Sequence, residues 1–194
     1  MSKYKVSKDE NEILPNLLHL DKKEDIDNAE FEGFLYAELY LSEKLTSRTK
    51  FNEKYIQQIH KLALKDLYAF AGKYRTVNMS KGGFLFPTAQ FIPQSMAVFN
   101  NEILSLLPNK YKNEESLIID VAKVHGELLF IHPFREGNGR TARILANLML
   151  RKQGYTALHF DRINKKIFNQ YVHAVQMVSG KNYKPMEDVI KLLF

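Results

Sequence analysis

The chain of 194 residues has no cysteine, which excludes disulfides and thiolate metal sites and suits a reducing compartment such as the cytoplasm. It also lacks any run of eighteen apolar residues, so hydropathy gives no membrane-spanning helix and no membrane partner is expected. The start, MSKYKVSKDENEILPN, has no apolar core of the kind a secretory leader carries; residues 1–12 read as a lead segment. Linkers, internal repeats and low-complexity tracts are missing too. With 45% hydrophobic residues, one domain with a substantial core is expected over 1–194. The formal charge is +6 and the pI about 9.3. The lysines and arginines are spread from Lys3 to Lys191, with none of the aromatic and basic interleaving of nucleic-acid modules. No nucleic-acid partner is therefore expected, and the basic surface serves attraction to acidic targets or to ATP.

Most of the chain carries helical periodicity. Asp21 and Glu24 make a capping-box-like start for a helix running to about Leu45, and Asn52 precedes a second that ends near Gly72. Pro93 to Leu107 forms a third, closed by Pro108, and Glu114 to Ile131 a fourth. Beyond the stretch HPFREGNGRTAR, Ile144, Leu145, Leu148 and Met149 recur at helical spacing up to Gly154. Tyr155 to Phe160 reads as an extended link, Asp161 as the cap of a helix carrying Tyr171, and Lys184 to Phe194 as a last short helix. Ser80 to Pro87, with its Gly-Gly pair, reads as a hairpin. The expected fold class is all-α, with one small β-hairpin.

Residues His132 to Arg143 concentrate a potential base, a carboxylate, two glycines and three arginines. They form a loop of about eight residues that runs into the start of a helix, where unpaired backbone N–H groups and the helix dipole favour an anion. Gly137-Asn138-Gly139 can act as an anion nest, though the Lys-Ser/Thr pair of a P-loop is missing. Arg140 and Arg143, three apart, can point the same way and suit a polyphosphate. His132 can accept a proton near pH 7, and Glu136 beside phosphates is suited to Mg²⁺. The combination implies phosphate-transfer chemistry. His125 and His60 stand in helical surroundings without metal-ligand spacing and read as satisfied helix histidines.

These twelve residues resemble the signature of the Fic family, His-Pro-Phe-x-Asp/Glu-Gly-Asn-Gly-Arg-x-x-Arg, at every specified position. Likeness extends to AGKYRTVNMSKGGF, Ala71 to Phe84, which is similar to the family's approach to its target-binding flap. It also extends to NQYVHAVQ, Asn169 to Gln176, similar to a later helix near the nucleotide base. In all it covers about residues 13 to 194. The resemblance implies a Fic fold and a protein adenylyltransferase that uses ATP with Mg²⁺ to place AMP on a Ser, Thr or Tyr hydroxyl of a target protein, releasing pyrophosphate. It implies His132 as general base, Phe134 as the anchor of the loop and Glu136 as the metal ligand. Gly137, Asn138 and Gly139 would cradle the phosphates, with Arg140 at the β-phosphate and Arg143 at the γ-phosphate. Asn169 and Tyr171 would lie near the base, and Lys81, Gly82, Gly83, Phe84 and Phe86 in the flap.

Two departures bear on function. The Doc branch, which phosphorylates, carries Ala-Asn-Lys where this chain has Gly137-Asn138-Gly139, so AMP transfer is favoured over kinase activity. A non-catalytic ATP-binding module stays open as the alternative, although keeping both His132 and Glu136 argues for catalysis. The family's inhibitory motif, Ser/Thr-x-x-x-Glu-Gly/Asn, has no full match. Its nearest forms are Asn28 to Gly33, with Glu32, and Thr49 to Lys54, with Glu53. Either a separate antitoxin-like protein supplies the missing glutamate to Arg143, as the resemblance to toxin–antitoxin members implies, or the enzyme is not restrained in this way.

Overall fold

The computed structural model describes residues 13–81 and 83–194. The lead segment expected at 1–12, and Gly82 of the expected flap, lie outside the described residues. Among the described residues seven α-helices and a two-stranded sheet form: α1 (Lys23–Glu43), α2 (Glu53–Leu64), β1 (Ser80–Lys81), β2 (Phe84–Leu85), α3 (Ile92–Glu102), α4 (Glu114–Ile131), α5 (Asn138–Lys152), α6 (Lys165–Met177) and α7 (Lys184–Leu193). None of these helices is long and apolar enough to cross a membrane.

The centre of the fold is α4. Leu117, Val121, Val124 and Leu128 are fully buried, and α4 packs against α3, α5, α6 and α7. A helix apolar on nearly all sides belongs in the middle of a bundle. Its start is set by Asn113, whose side chain accepts the Ser116 N–H at 2.9 Å, with Glu114 and Glu115 in the first turn to favour the dipole. Helix α5 is the second buried element and packs on α4, α1 and α2. The α1–α2 pair closes the other side. Gly33 permits that approach, since a Cβ there would stand 1.9 Å from the Ala63 carbonyl oxygen.

Several element ends differ from the sequence reading. Helix α1 starts after Lys22, whose side chain makes no cap bond, so the Asp21 and Glu24 box does not form; Glu24 and Asp25 serve the dipole instead. Helix α2 stops at Leu64 rather than near Gly72. There the chain turns back with the N–H groups of Leu67 and Tyr68 both donating to the Leu64 carbonyl, which buries both side chains. Helix α3 ends at Glu102 and yields to a 3₁₀ turn over Leu104–Leu106. Asp161 lies in another 3₁₀ turn, and Asn164 caps α6, its side chain accepting from the N–H groups of Lys166 and Ile167. In the hairpin Ser80 pairs with Leu85 and Lys81 with Phe84, and Gly83 takes φ +81°, a conformation that glycine adopts without strain.

Candidate active site

The loop between α4 and α5 comprises residues 132–137, shorter than the sequence suggested. It opens at His132, which ends α4 in the left-handed region (φ 52°, ψ 58°), its N–H donating to the Leu128 carbonyl at 3.1 Å. A non-glycine residue there costs roughly 1–2 kcal/mol and persists only where its surroundings enforce it. The surroundings are specific. His132 Nδ1 donates to the Leu129 carbonyl at 3.2 Å, and the imidazole stacks on Phe86 of the flap at 3.9 Å. Because a carbonyl can only accept, the proton sits on Nδ1, and Nε2 keeps its lone pair. Burial, with Arg75 and Lys81 adding positive charge, pushes the imidazole pKa down to about 4, so the ring is neutral at pH 7.

The middle of the loop is held from inside. Phe134 is fully buried, stacked on His60 at 3.9 Å, and its N–H and C=O are both bonded to the Asn138 side chain at 2.8 Å. His60 accepts the Gly72 N–H at Nδ1, 2.8 Å, and therefore donates from Nε2 to the Glu136 carbonyl, 3.0 Å. His60 is thus satisfied, as expected of it, and what satisfies it is the loop itself.

The two glycines have different duties. Gly137 caps α5 with φ +75°, and a Cβ on it would come within 2.6 Å of the Phe34 ring, so the fold itself demands glycine. Gly139 faces open space, with nothing within 4 Å of where a Cβ would stand. The N–H groups of Asn138, Gly139 and Arg140 begin α5 and, as in any first turn, lack intrahelical acceptors. A bare backbone at a helix start beside open space fits a phosphate.

Glu136 accepts the Gly137 N–H at 2.7 Å and keeps its carboxylate substantially exposed. Among the described residues no three carboxylates or histidines come together to hold a metal.

The arginines diverge. Arg140 pairs with the buried Glu30 carboxylate, lies 4.6 Å above the Phe34 ring and reaches Glu136 at 3.3 Å. Glu30 also accepts the Tyr68 hydroxyl at 2.7 Å. Arg143 turns the other way, over Phe160 at 5.0 Å, close enough to Tyr171 for its charge to act on that hydroxyl. His125 Nδ1 donates to the Ala142 carbonyl, so its Nε2 accepts the Tyr171 hydroxyl at 2.6 Å. Tyr171 is therefore buried and held by His125, while Asn169 lies exposed on the same helix.

Three residues of the site carry no mark in the motif: Glu30, His60 and Arg75. Glu30 shares a face with Phe34, Ala37 and Leu41 at spacings of four, seven and eleven, and a carboxylate on a buried face is the available signal. Glu32, the nearest sequence match to an inhibitory glutamate, is exposed, and the Gly33 beside it serves the α1–α2 crossing.

The buried histidines make stability pH-dependent. His60 and His125 are almost fully buried, and burial pushes each pKa from 6.5 to about 4. A depressed folded pKa means that the unfolded chain binds more protons between these values. Stability should be complete above pH 6.5 and fall between 6.5 and 4, by roughly 4 kcal/mol per pH unit at the steepest with these two and His132, shifted the same way, all acting. Urea unfolding at pH 7, 6 and 5 checks this; unchanged stability over that range would refute it.

Comparison with known proteins agrees with the geometry. The Fic/DOC family model matches residues 50–150, slightly more than half of the chain. Protein adenylyltransferase Fic of Drosophila willistoni is 26% identical over 174 residues, covering 89% of this chain and 34% of that protein. Protein adenylyltransferase VbhT of Bartonella schoenbuchensis is 28% identical over 177 residues, covering 86% and 35%. The chain thus spans about a third of the length of these curated relatives. Among solved structures, the N-terminal FIC domain of Bep8 from Bartonella sp. 1-1C superposes with a TM-score of 0.76 at 19% identity, over 93% of this chain and 90% of that one. BepC from Bartonella tribocorum, solved with bound AMPPNP, gives 0.76 at 18%, over 97% and 94%. These structural likenesses establish the fold, an all-helical domain with a small hairpin beside the loop. With the complete signature running from the α4–α5 loop into the first turns of α5, the chain belongs to the Fic/DOC family.

Proposed function

We propose that this chain is a protein adenylyltransferase. A target hydroxyl oxygen attacks the α-phosphorus of ATP, the bond from that phosphorus to the bridging oxygen breaks, and pyrophosphate leaves. The hydroxyl proton passes to His132 Nε2. The observation that carries this reading is the fixed tautomer of His132, whose Nε2 lone pair is left available beside the start of α5.

The other roles rest on the family resemblance, and the geometry of the loop is compatible with those that fall on it. Gly139, with the backbone N–H groups of Asn138 and Arg140, is suited to phosphate oxygens; Gly137 and the Asn138 side chain shape the turn that presents them. Glu136 would hold Mg²⁺, which supplies charge neutralisation on the phosphates when bound. Arg140 is assigned to the β-phosphate and Arg143 to the γ-phosphate, with Asn169 and Tyr171 on the base side through α6. Phe134 anchors the loop. Lys81, Gly82, Gly83, Phe84 and Phe86 are assigned to the flap that receives an extended target segment by strand addition. The chain's relatives named protein adenylyltransferases support the activity, and BepC with bound AMPPNP supports the nucleotide. A cytoplasmic setting is assigned with this activity, since it supplies ATP and is compatible with a chain that has no cysteine. A separate inhibitory protein fits the same picture: among the described residues no carboxylate forms an ion pair with Arg143, and the outer face of α1 leaves Phe31, Leu35 and Leu39 exposed.

Incubation with Mg²⁺ and ATP labelled at the α- or the γ-phosphate, with cell lysate as the source of targets, tests the proposal. Label from the α-phosphate alone is expected on protein. Label from the γ-phosphate alone would show a kinase. Absence of both, with calorimetric ATP binding intact, would show a binding module.

A further inference from the structure

Arg75 touches both the loop bearing His132 and the hairpin on each side of its turn. It exposes only 4% of its surface. Its backbone N–H donates to the Pro133 carbonyl at 2.8 Å, and Nε to the His132 carbonyl at 2.7 Å. Nη1 donates to the Val77 carbonyl, before β1, at 2.7 Å, and Nη2 to the Pro87 carbonyl, after β2, at 2.6 Å. Among the described residues it forms no ion pair, and its three side-chain bonds all go to main-chain oxygens. Burying a guanidinium without a carboxylate is costly, and five N–H groups in a rigid planar fork are what let one side chain tie three separate carbonyls together.

The bonded groups define what is held. The His132 carbonyl belongs to the residue in left-handed conformation that ends α4, so fixing it fixes the backbone from which the imidazole projects. Val77 and Pro87 are the stems of the hairpin, and Phe86, next to Pro87, stacks on the imidazole at 3.9 Å. The ring is thereby held from its own backbone and from the flap, and Arg75 joins the two.

We propose that Arg75 is a positioning residue that fixes His132 and the flap hairpin as one unit, so that a target segment received by the flap meets the base in a set geometry. This rests on the adenylyltransferase reading for its consequence in turnover, and on structure alone for its effect on His132. Arg75→Lys keeps the charge but replaces the fork by a single ammonium, which cannot span three carbonyls. The expected result is a fall in kcat of at least tenfold, a raised KM for the target, and an ATP dissociation constant within about twofold of the parent, from roughly a near-attack misplacement of the base. The imidazole ¹⁵N spectrum, which separates the two neutral tautomers, should show His132 losing its single Nδ1–H form. Amides of residues 80–85 should exchange faster. Combining Arg75→Lys with Phe86→Ala should cost no more than the larger single change.

A fall in melting temperature with kcat and the His132 tautomer unchanged would make Arg75 merely structural and overturn the proposal. If the parent protein transfers no AMP, the adenylyltransferase reading fails, and the tautomer and amide exchange of Arg75→Lys still decide for or against the clamp. Should Arg75→Lys not fold, Phe86→Ala decides it: with the guanidinium bonds intact His132 should keep its tautomer. Loss of the tautomer there would assign the positioning to the ring stack and not to Arg75.

Discussion

Replacing His132 by alanine is expected to lower AMP transfer by roughly 10²–10⁴-fold while leaving ATP affinity within about twofold. The effect is large because phosphoryl-type transfer asks little of the protein beyond positioning, charge stabilisation and a destination for one proton. His132 Nε2 is the lone pair that the loop leaves available for it: Nδ1 is spent on the Leu129 carbonyl, and His60 and His125 have both ring nitrogens bonded elsewhere. ATP affinity is expected to survive because the backbone at the start of α5, Glu136 and the two arginines are untouched. The fold should survive as well, since the ring is stacked on Phe86 at the surface of the bundle rather than packed among the central leucines. His132→Asn serves as a second variant, because asparagine tolerates the left-handed backbone that His132 occupies. Steady-state transfer with labelled ATP, beside calorimetric ATP binding, checks both halves. Near-normal transfer by either variant would remove His132 from the proton path, and lost ATP binding would assign it to the nucleotide instead.

The frame of the site was legible in the sequence because its signals are local. Asn52 marks a helix start by capping chemistry read within four residues, and the apolar period of α4 and α5 brackets the loop. Gly82-Gly83 marks the hairpin in the same way. What holds the loop was not legible, since it comes from distant chain. Arg75 bonds to His132 across 57 positions, His60 to Glu136 across 76, and Glu30 to Arg140 across 110. Periodicity identifies such residues only as helical or as preceding a hairpin. The same limit explains the divergence of the arginines: spacing on α5 allows Arg140 and Arg143 one direction, but Glu30 draws one toward α1 and the other lies toward α6, beside Tyr171. It also explains the early stop of α2, where burial of Leu67 and Tyr68 outweighs a helical pattern that continues on paper.

Phe134→Ala is expected to be the most destabilising change in the loop, costing about 3–5 kcal/mol. That is a large share of the roughly 5–15 kcal/mol by which a domain is stable, and it corresponds to a melting temperature lower by roughly 10 °C. The ring is fully buried against His60 at 3.9 Å, with Tyr74 at 6.0 Å, so truncation leaves a cavity that α2 and the loop can close only by shifting. The shift would reach the phosphate-facing backbone. Asn138 holds the N–H and C=O of Phe134 and is also the first residue of α5, so slack at 134 passes to the N–H groups of 138–140. His60, freed from its stack, would hold the Glu136 carbonyl less firmly. Phe134→Ala is therefore expected to weaken ATP binding at least tenfold even well below its lowered melting temperature, the reverse of the His132→Ala pattern. Phe134→Leu, which retains most of the volume, should lose less than half as much stability and keep most of the affinity. Thermal denaturation and calorimetric titration of the two variants check this ordering. A melting temperature within about 3 °C of the parent for Phe134→Ala would mean that the loop is held by its polar bonds alone, with the ring as filler.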